Sequence, residues 1–145
     1  MSKEQLYIFD TTLRDGAQTQ GVDFSIDDKE KISSALDLLG VDYVEGGWPG
    51  ANPTDTEFFN KDHNFKSAKL TAFGMTKKSE HSAENDPMLS SLINSKSSSV
   101  CLFGKSWDFQ VKVPSILLNQ ARSLCLMLSI SLMDINQIQN TLYLV

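Results

Sequence analysis

The chain alternates short apolar runs with stretches of helical periodicity. Apolar runs typical of buried strands cover residues 6–9, 41–47, 69–75 and 98–104. Helices are predicted between them, over residues 26–39, 54–59 and 85–95. Regular alternation of strand and helix predicts βαβ units, and therefore an α/β fold with a parallel sheet.

The first predicted helix carries clear start and stop signals. Ser25 is placed to cap its N-terminus, Asp28 to complete a capping box, and Gly40 to end it. In the second helix Thr54 is the predicted cap. The buried face of the first helix is predicted from apolar residues at three- and four-residue spacing, namely Ile32, Ala35, Leu36 and Leu39.

Residues suited to catalysis or ligand binding follow the predicted strands. The loops after them read "DTTLRDGAQ", "EGGWPG", "GMTKKSEH" and "GKSWD". In parallel α/β folds, ligands bind where the strands end, on the loops that follow. This placement favours an enzyme.

Composition narrows the class of protein. With 145 residues, 41% of them apolar, the chain suits one globular domain. A net charge of −5 argues against a nucleic-acid surface. The N-terminus has no signal-peptide pattern, and the most apolar segment is too short and serine-rich to span a bilayer. Two cysteines, Cys101 and Cys125, fit buried free thiols. We therefore expect a cytoplasmic protein without a membrane partner.

Arg14 and Asp15 are the main candidates for chemistry. The Asp15 carboxylate suits Mg²⁺ or Mn²⁺, the alternative being a solvated turn aspartate. Arg14 offers a fork of donors for an oxyanion or an enolate, the alternative being a structural ion pair with Asp10 or Glu45. Because adjacent residues of an extended segment point different ways, we do not expect Arg14 and Asp15 to pair with each other.

The second strand supplies further candidates. Glu45 ends an apolar run, and we expect it to orient Arg14 or to hold a water. Gly46 and Gly47 would let the backbone approach a ligand. Gln18 is either a substrate contact or a surface amide.

Other polar or aromatic residues admit two interpretations. Trp48 and Asp108 are either walls of a pocket or ordinary packing. The two histidines, His63 and His81, lack the spacing of a metal-binding pair and are expected at the surface.

Five ordered segments together resemble a known enzyme group. They are "DTTLRDGAQ", "EGGWPGANPTDTEFF", "AFGMT", "ENDP" and "FGKSWDFQV". They are similar to the N-terminal part of the acyl-CoA-condensing enzymes of the DRE-TIM group. This group includes 2-isopropylmalate, homocitrate and citramalate synthases and the hydroxymethylglutaryl-CoA lyases. The bacterial (R)-citramalate synthase branch is the most similar, and the likeness is collinear from residue 6 to residue 113.

The resemblance implies a (β/α)₈ barrel that joins acetyl-CoA to pyruvate for isoleucine synthesis. On this basis Asp15 would ligate a divalent metal, Arg14 would stabilise the enolate or oxyanion, and Glu45 would complete the motif. Homodimers are typical of the family. Two alternatives remain open: a related synthase or lyase acting on another 2-oxoacid, and a non-catalytic remnant or half-barrel.

The sequence also departs from the group. A (β/α)₈ barrel needs about 250 residues, so this chain would supply roughly half of one. The group's His-x-His metal ligands have no counterpart here. Residues 114–145 lose charge, periodicity and resemblance together, which predicts a boundary near Val113 and a reading-frame shift there, the alternative being a buried helix. We therefore expect residues 1–113 to be the N-terminal part of a barrel, and the isolated 145-residue chain to have no condensing activity.

Overall fold

The computed structural model describes residues 6–77, 81–104 and 131–134. Short 3-10 turns at Gly16–Gln18 and Ala83–Asn85 accompany the regular elements. Those elements are, in order, β1 (Phe9–Asp10), α1 (Ile26–Leu39), β2 (Tyr43–Gly47), α2 (Pro53–Asn60), β3 (Lys69–Met75), α3 (Pro87–Ile93), β4 (Ser99–Phe103) and β5 (Ser131–Asp134).

The strands form one sheet in the order β1-β2-β3-β4-β5. The first four are parallel, with Phe9 opposite Tyr43 and Thr71 opposite Ser99. Helices connect each of these strands to the next. The predicted α/β fold is confirmed, and its four parallel strands are consistent with the N-terminal part of a TIM barrel.

The fifth strand was not predicted. β5 pairs with β4 in the antiparallel direction, with Ser99 opposite Asp134. Within residues 114–145 only these four positions are described, and they are extended, so the buried-helix alternative is wrong there. The proposed boundary near Val113, Asp108 and Cys125 lie outside the described residues.

Local capping signals account for the start of two helices. The Ser25 hydroxyl accepts the Asp28 N–H at 3.2 Å, and the Asp28 carboxylate accepts the Ser25 N–H at 3.0 Å, which confirms the capping box. The predicted Thr54 cap is wrong. Asn52 caps α2 by accepting the Asp55 N–H at 2.7 Å, because Pro53 already occupies the first helical position.

The first strand is shorter than its apolar run. Leu6, Tyr7 and Ile8 are exposed, and the ladder begins only at Phe9. The Ile8 N–H donates to the Asp42 carboxylate at 2.7 Å, while the Ile8 carbonyl accepts the Tyr43 N–H at 3.1 Å. The run therefore lies along the outer edge of the described sheet, where β1 has one neighbouring strand.

The buried face of α1 is more polar than the periodicity indicates. Ile32 and Leu36 pack against the core as predicted, but Ala35 and Leu39 are exposed. The deepest positions form a polar stripe at four-residue spacing, namely Lys29, Ser33 and Asp37. These side chains tolerate burial because each has a hydrogen-bond partner: Lys29 and Asp37 bind backbone groups of neighbouring segments, and the Ser33 hydroxyl donates to the Glu30 carbonyl of the same helix.

Asp37 binds the segment that leads into β3. Its carboxylate accepts the N–H groups of Lys66, Ser67 and Ala68 at 2.8, 3.0 and 2.8 Å. These bonds, led by that of Lys66, lower the Asp37 pKa to about 2. The carboxylate thus fixes where the third strand begins.

The hydrophobic core connects the sheet with the helices. Phe58 and Phe59 of α2 are fully buried and meet edge to face, with ring centres 5.4 Å apart. The other buried residues of the core are Leu13, Val41, Val44, Leu70, Ala72, Leu89, Leu92 and Val100.

Among the described residues, no helix has both the length and the hydropathy to cross a bilayer.

Candidate active site

The loop after β1 is a tight turn that presents Arg14. The Thr11 carbonyl accepts the N–H groups of Arg14, Asp15 and Gly16 at 3.1, 2.8 and 3.3 Å. The side chain of Leu13 is fully buried and anchors the turn in the core. Arg14 therefore starts from a fixed backbone at the end of the sheet where strands β1 and β2 finish.

Arg14 is held by two carboxylates and an aromatic ring. Its Nε donates to Glu45 Oε2 at 2.5 Å. Its two Nη atoms reach the two Asp15 oxygens at 2.7 and 3.0 Å. The guanidinium carbon lies 4.0 Å from the centre of the Phe73 ring on β3. The Arg14 guanidinium thus joins the loop after β1 to β2 and β3.

This arrangement corrects one prediction and resolves an alternative. Arg14 and Asp15 do pair, because their segment is a turn and not an extended strand. Glu45 orients Arg14, as one alternative held. Asp10 is not the partner: its carboxylate binds the N–H and hydroxyl of Thr12 at 2.9 and 3.1 Å.

Glu45 is almost completely buried, with 1% of its surface exposed. Burial raises the Glu45 pKa, and the Arg14 guanidinium partly offsets that effect. Oε1 has no N–H or O–H partner among the described residues, and its neighbour is the thiol of Cys101. Burial and the nearby Glu45 carboxylate raise the pKa of this free thiol to about 12, so it stays protonated and is a weak donor.

Asp15 fits one ligand position of a divalent metal. Its side chain is 50% exposed, on a loop above a parallel sheet, and carboxylate oxygens are ligands that Mg²⁺ and Mn²⁺ accept. Both oxygens contact Arg14 in this structure. No group of three or more ligating side chains occurs in residues 6–77 and 81–104. Metal ligation by Asp15 therefore stays a prediction.

Of the three predicted substrate contacts, one is exposed on a turn and two are packed against a helix. Gln18 is exposed on its 3-10 turn. A Cβ on Gly46 would lie 2.7 Å from the Phe58 ring, and one on Gly47 would lie 2.5 Å from Asp55 Cγ. Both glycines thus have a packing role against α2. Contact of these three residues with a substrate stays a prediction.

Aromatic rings form a wall beside Arg14. Trp48 meets Phe73 edge to face with ring centres 5.5 Å apart, and Phe73 stacks on Phe103 at 6.5 Å. The buried indole N–H of Trp48 has no partner in the part of the chain that the structure describes. The ring contact with Phe73 supports the packing alternative for Trp48, and a role as the wall of a pocket stays a prediction.

The histidines lie away from this cluster of charges. His63 is half-buried between Phe58 and Phe65, and its Nε2 lies 2.8 Å from the Phe58 carbonyl. His81, in the loop before α3, has Nδ1 3.2 Å from the Asn85 carbonyl. Both histidines are partly exposed, so neither contradicts the expectation of a surface position.

Sequence reasoning missed a buried lysine behind the site. Lys29 of α1 is 3% exposed and binds the Asp55 carboxylate, the Leu13 carbonyl and the Gly46 carbonyl. Its position among the charged residues Asp27, Asp28, Glu30 and Lys31 made it resemble a solvent-facing lysine. A local signal existed for Asp55, since an Asn three residues before it resembles a capping pair.

Comparison with known proteins identifies the family. The model of the HMGL-like family matches residues 5–113. The chain belongs to the HMGL-like family. The match includes the Arg14 loop, Glu45 and every parallel strand described above.

Similar proteins in other organisms are (R)-citramalate synthases. That of Aquifex aeolicus is 53% identical over 110 residues, which are 74% of this chain and 21% of the relative. That of Sulfolobus acidocaldarius is 47% identical over 113 residues, or 77% and 22%. A 2-isopropylmalate synthase of Microcystis aeruginosa is 48% identical over 60 residues, 41% of this chain and 11% of the relative. The chain thus spans about a fifth of the length of the curated relatives it matches.

Proposed function

We propose that this chain carries the arginine–carboxylate part of an active site that condenses acetyl-CoA with pyruvate to (R)-citramalate. The observation that carries the proposal is the Arg14 guanidinium, fixed by Glu45 at 2.5 Å on one side and by Asp15 on the other, where the parallel strands end. Its likeness to (R)-citramalate synthases over 110 residues supports the same chemistry.

The reaction needs a fixed cation. The methyl group of a thioester is a weak carbon acid, so its enolate needs positioned donors. A base removes a proton from the acetyl methyl group, and the resulting enolate carbon attacks the 2-oxo carbon of pyruvate. A new C–C bond forms, the former carbonyl oxygen carries the negative charge, and this oxygen then takes up a proton. Hydrolysis of the thioester then releases CoA and citramalate. Arg14 provides donors for the developing oxyanion without reorganising, because Glu45 and Phe73 already hold it.

Metal and co-substrate belong to the same proposal. Asp15 would supply one ligand to a divalent ion, Mg²⁺ or Mn²⁺, which would polarise the 2-oxo group. Acetyl-CoA would be the acyl donor. The proposed substrate contacts are Gln18, on the 3-10 turn after β1, and Gly46 and Gly47, at the end of β2.

A second candidate is a synthase that uses a larger 2-oxoacid. The match to a 2-isopropylmalate synthase over 60 residues favours it as an alternative. We further propose a cytoplasmic, homodimeric enzyme without nucleic-acid partners, with isoleucine biosynthesis as its setting. If no activity can be restored, the third alternative, that the chain is a non-catalytic remnant, is favoured.

Residues 114–145 are proposed to be the product of a reading-frame shift near Val113. The family match ends at residue 113, and the later residues include only two charged side chains, Arg122 and Asp134. Resequencing the gene from the Lys105 codon and translating all three frames tests this. A frame that restores the family's sequence after Val113 is expected. If none does, the shift is excluded.

The function is tested in a chimera. Residues 5–113 replace the aligned segment of the Aquifex aeolicus enzyme, and release of CoA thiol from acetyl-CoA is followed with pyruvate or with a branched 2-oxoacid. We expect release with pyruvate and little with the branched acid. The 145-residue chain alone is the control and should release none. Preference for the branched acid would support the second candidate, and inactivity with both would contradict the proposal.

A further inference from the structure

Lys29 is buried next to the candidate site and contacts both the loop after β1 and the end of β2. Its ammonium donates to the Leu13 carbonyl at 3.2 Å, to the Gly46 carbonyl at 2.8 Å, and to the Asp55 carboxylate. An ammonium has three N–H donors, so these three partners use all of them. Lys29 therefore has no donor left for a substrate.

The two carbonyls belong to residues that directly adjoin the Arg14–Glu45 ion pair in the sequence. Leu13 directly precedes Arg14, and Gly46 directly follows Glu45. The loop after β1 and the end of β2 are thus tied to one ammonium, within one residue of each partner of the Arg14–Glu45 ion pair. A shift of either carbonyl would move one of the two charged side chains relative to the other.

Asp55 extends the same arrangement to α2. Its second oxygen accepts the Trp48 N–H at 2.8 Å and the side-chain amide of Asn52 at 2.9 Å. Lys29 and Asp55 are both buried, with 3% and 8% of their surface exposed, so water competes little for these bonds. The Lys29–Asp55 pair therefore contacts the segment just after Glu45 twice, through the Gly46 carbonyl and through the Trp48 N–H.

We propose that Lys29 is a positioning residue that sets the geometry between Arg14 and Glu45, with Asp55 as its counter-ion. Its role in the reaction rests on the proposed function. Its effect on the Arg14–Glu45 geometry does not, and can be measured without turnover. A catalytic contact is excluded by its saturated donors.

The test is an NMR measurement on the full 145-residue chain. The sequence contains two arginines, Arg14 and Arg122, so the arginine Nε–H region has two signals, and Arg14→Lys assigns one of them. The bond to buried Glu45 should move the Arg14 Hε signal downfield and slow its exchange with solvent.

Two variants separate positioning from simple ion pairing. Asp55→Asn removes the counter-ion but leaves Lys29 bonded to both carbonyls, whereas Lys29→Met/Asp55→Asn removes both charges and both carbonyl bonds. We expect a nearly unchanged Arg14 signal in the first, and in the second an upfield shift with about tenfold faster exchange. Lys31→Met, an exposed lysine on the same helix, is the control and should change neither.

Equal effects of the first two variants, or no effect of the double variant, would overturn the proposal. If the double variant does not fold, the urea dependence of exchange is compared in the unaltered chain. The Arg14 Hε and the Lys29 ammonium protons should then exchange through one opening event with the same slope, and different slopes would overturn the proposal. An inactive chimera would count against the proposed function and leave this result intact.

Discussion

Arg14 and Glu45, thirty-one residues apart in the chain, meet through a 2.5 Å hydrogen bond between Nε and Oε2. The Glu45 side chain is buried, with 1% of its surface exposed, and that of Arg14 is partly exposed, with 19%. An arginine held in this way is preorganised for an oxyanion, since its orientation is set before the substrate binds.

Glu45→Gln should separate stability from function. Because burial raises the Glu45 pKa above 4.5 in the folded chain, Glu45 favours folding at low pH, and this contribution is lost as the pH rises through its folded pKa. At pH 7 the variant should be at least as stable to urea as the unaltered chain. In the chimera its kcat should fall on the order of 10²-fold, since Arg14 loses its fixed partner.

The control for this variant is Glu57→Gln, at an exposed position of α2. Its urea midpoint should follow that of the unaltered chain from pH 4 to pH 8. A Glu45→Gln chain that is less stable than the unaltered chain by the same amount at every pH would contradict the prediction.

Gly47→Ala should destabilise the chain for two reasons. Gly47 has φ of 137°, and a Cβ there would lie 2.5 Å from Asp55 Cγ. We expect a loss of about 3 kcal/mol in the free energy of unfolding, measured by urea denaturation. Gly21→Ala is the matched control, because Gly21 has φ of 84° with nothing within 4 Å of a Cβ, and should lose only about 1–2 kcal/mol. Equal losses would show that the Asp55 contact is unimportant.

Asp37→Asn should remove a stabilisation that depends on pH. The folded pKa of Asp37 is about 2, below the ordinary 3.8, so the stabilisation is complete above pH 3.8 and is lost as the pH falls towards 2. The variant should melt several degrees lower at pH 7, and this difference should shrink between pH 4 and pH 2. Asp23→Asn, at an exposed position, should show no such convergence. A constant difference across that range would refute the assignment.

Local signals made much of the fold predictable. The Ser25–Asp28 capping box and the left-handed Gly40 depend on neighbours within a few residues, and both occur as expected. Four parallel strands follow from the alternation of short apolar runs with helical segments. The exposed run before Phe9 was not predictable, because exposure at a sheet edge depends on which strands lie beside it.

Three of the candidate residues lie together in the structure, but their contacts with one another were not predictable, and their roles in a reaction stay predictions. Arg14, Asp15 and Glu45 stand out by their position after apolar strands, but the turn that pairs Arg14 with Asp15 depends on three bonds to one carbonyl. Lys29 was missed because its partners lie 16 to 26 residues away in the chain, and Asp55 was missed because its local pairing with Asn52 indicates a helix cap and not a buried ion pair. Helical periodicity counts such residues as solvent-facing.

The most direct test of the account is the kcat of the chimera with Arg14→Lys. Lysine keeps the charge but loses the planar fork that Glu45 and Asp15 hold. We predict a kcat about 10²–10³-fold lower, with the KM for pyruvate changed only a few-fold, because the donors act on charge that develops in the transition state. The exposed Lys31→Met serves as control and should leave both constants unchanged. A kcat for Arg14→Lys equal to that of the parent chimera would contradict the central claim.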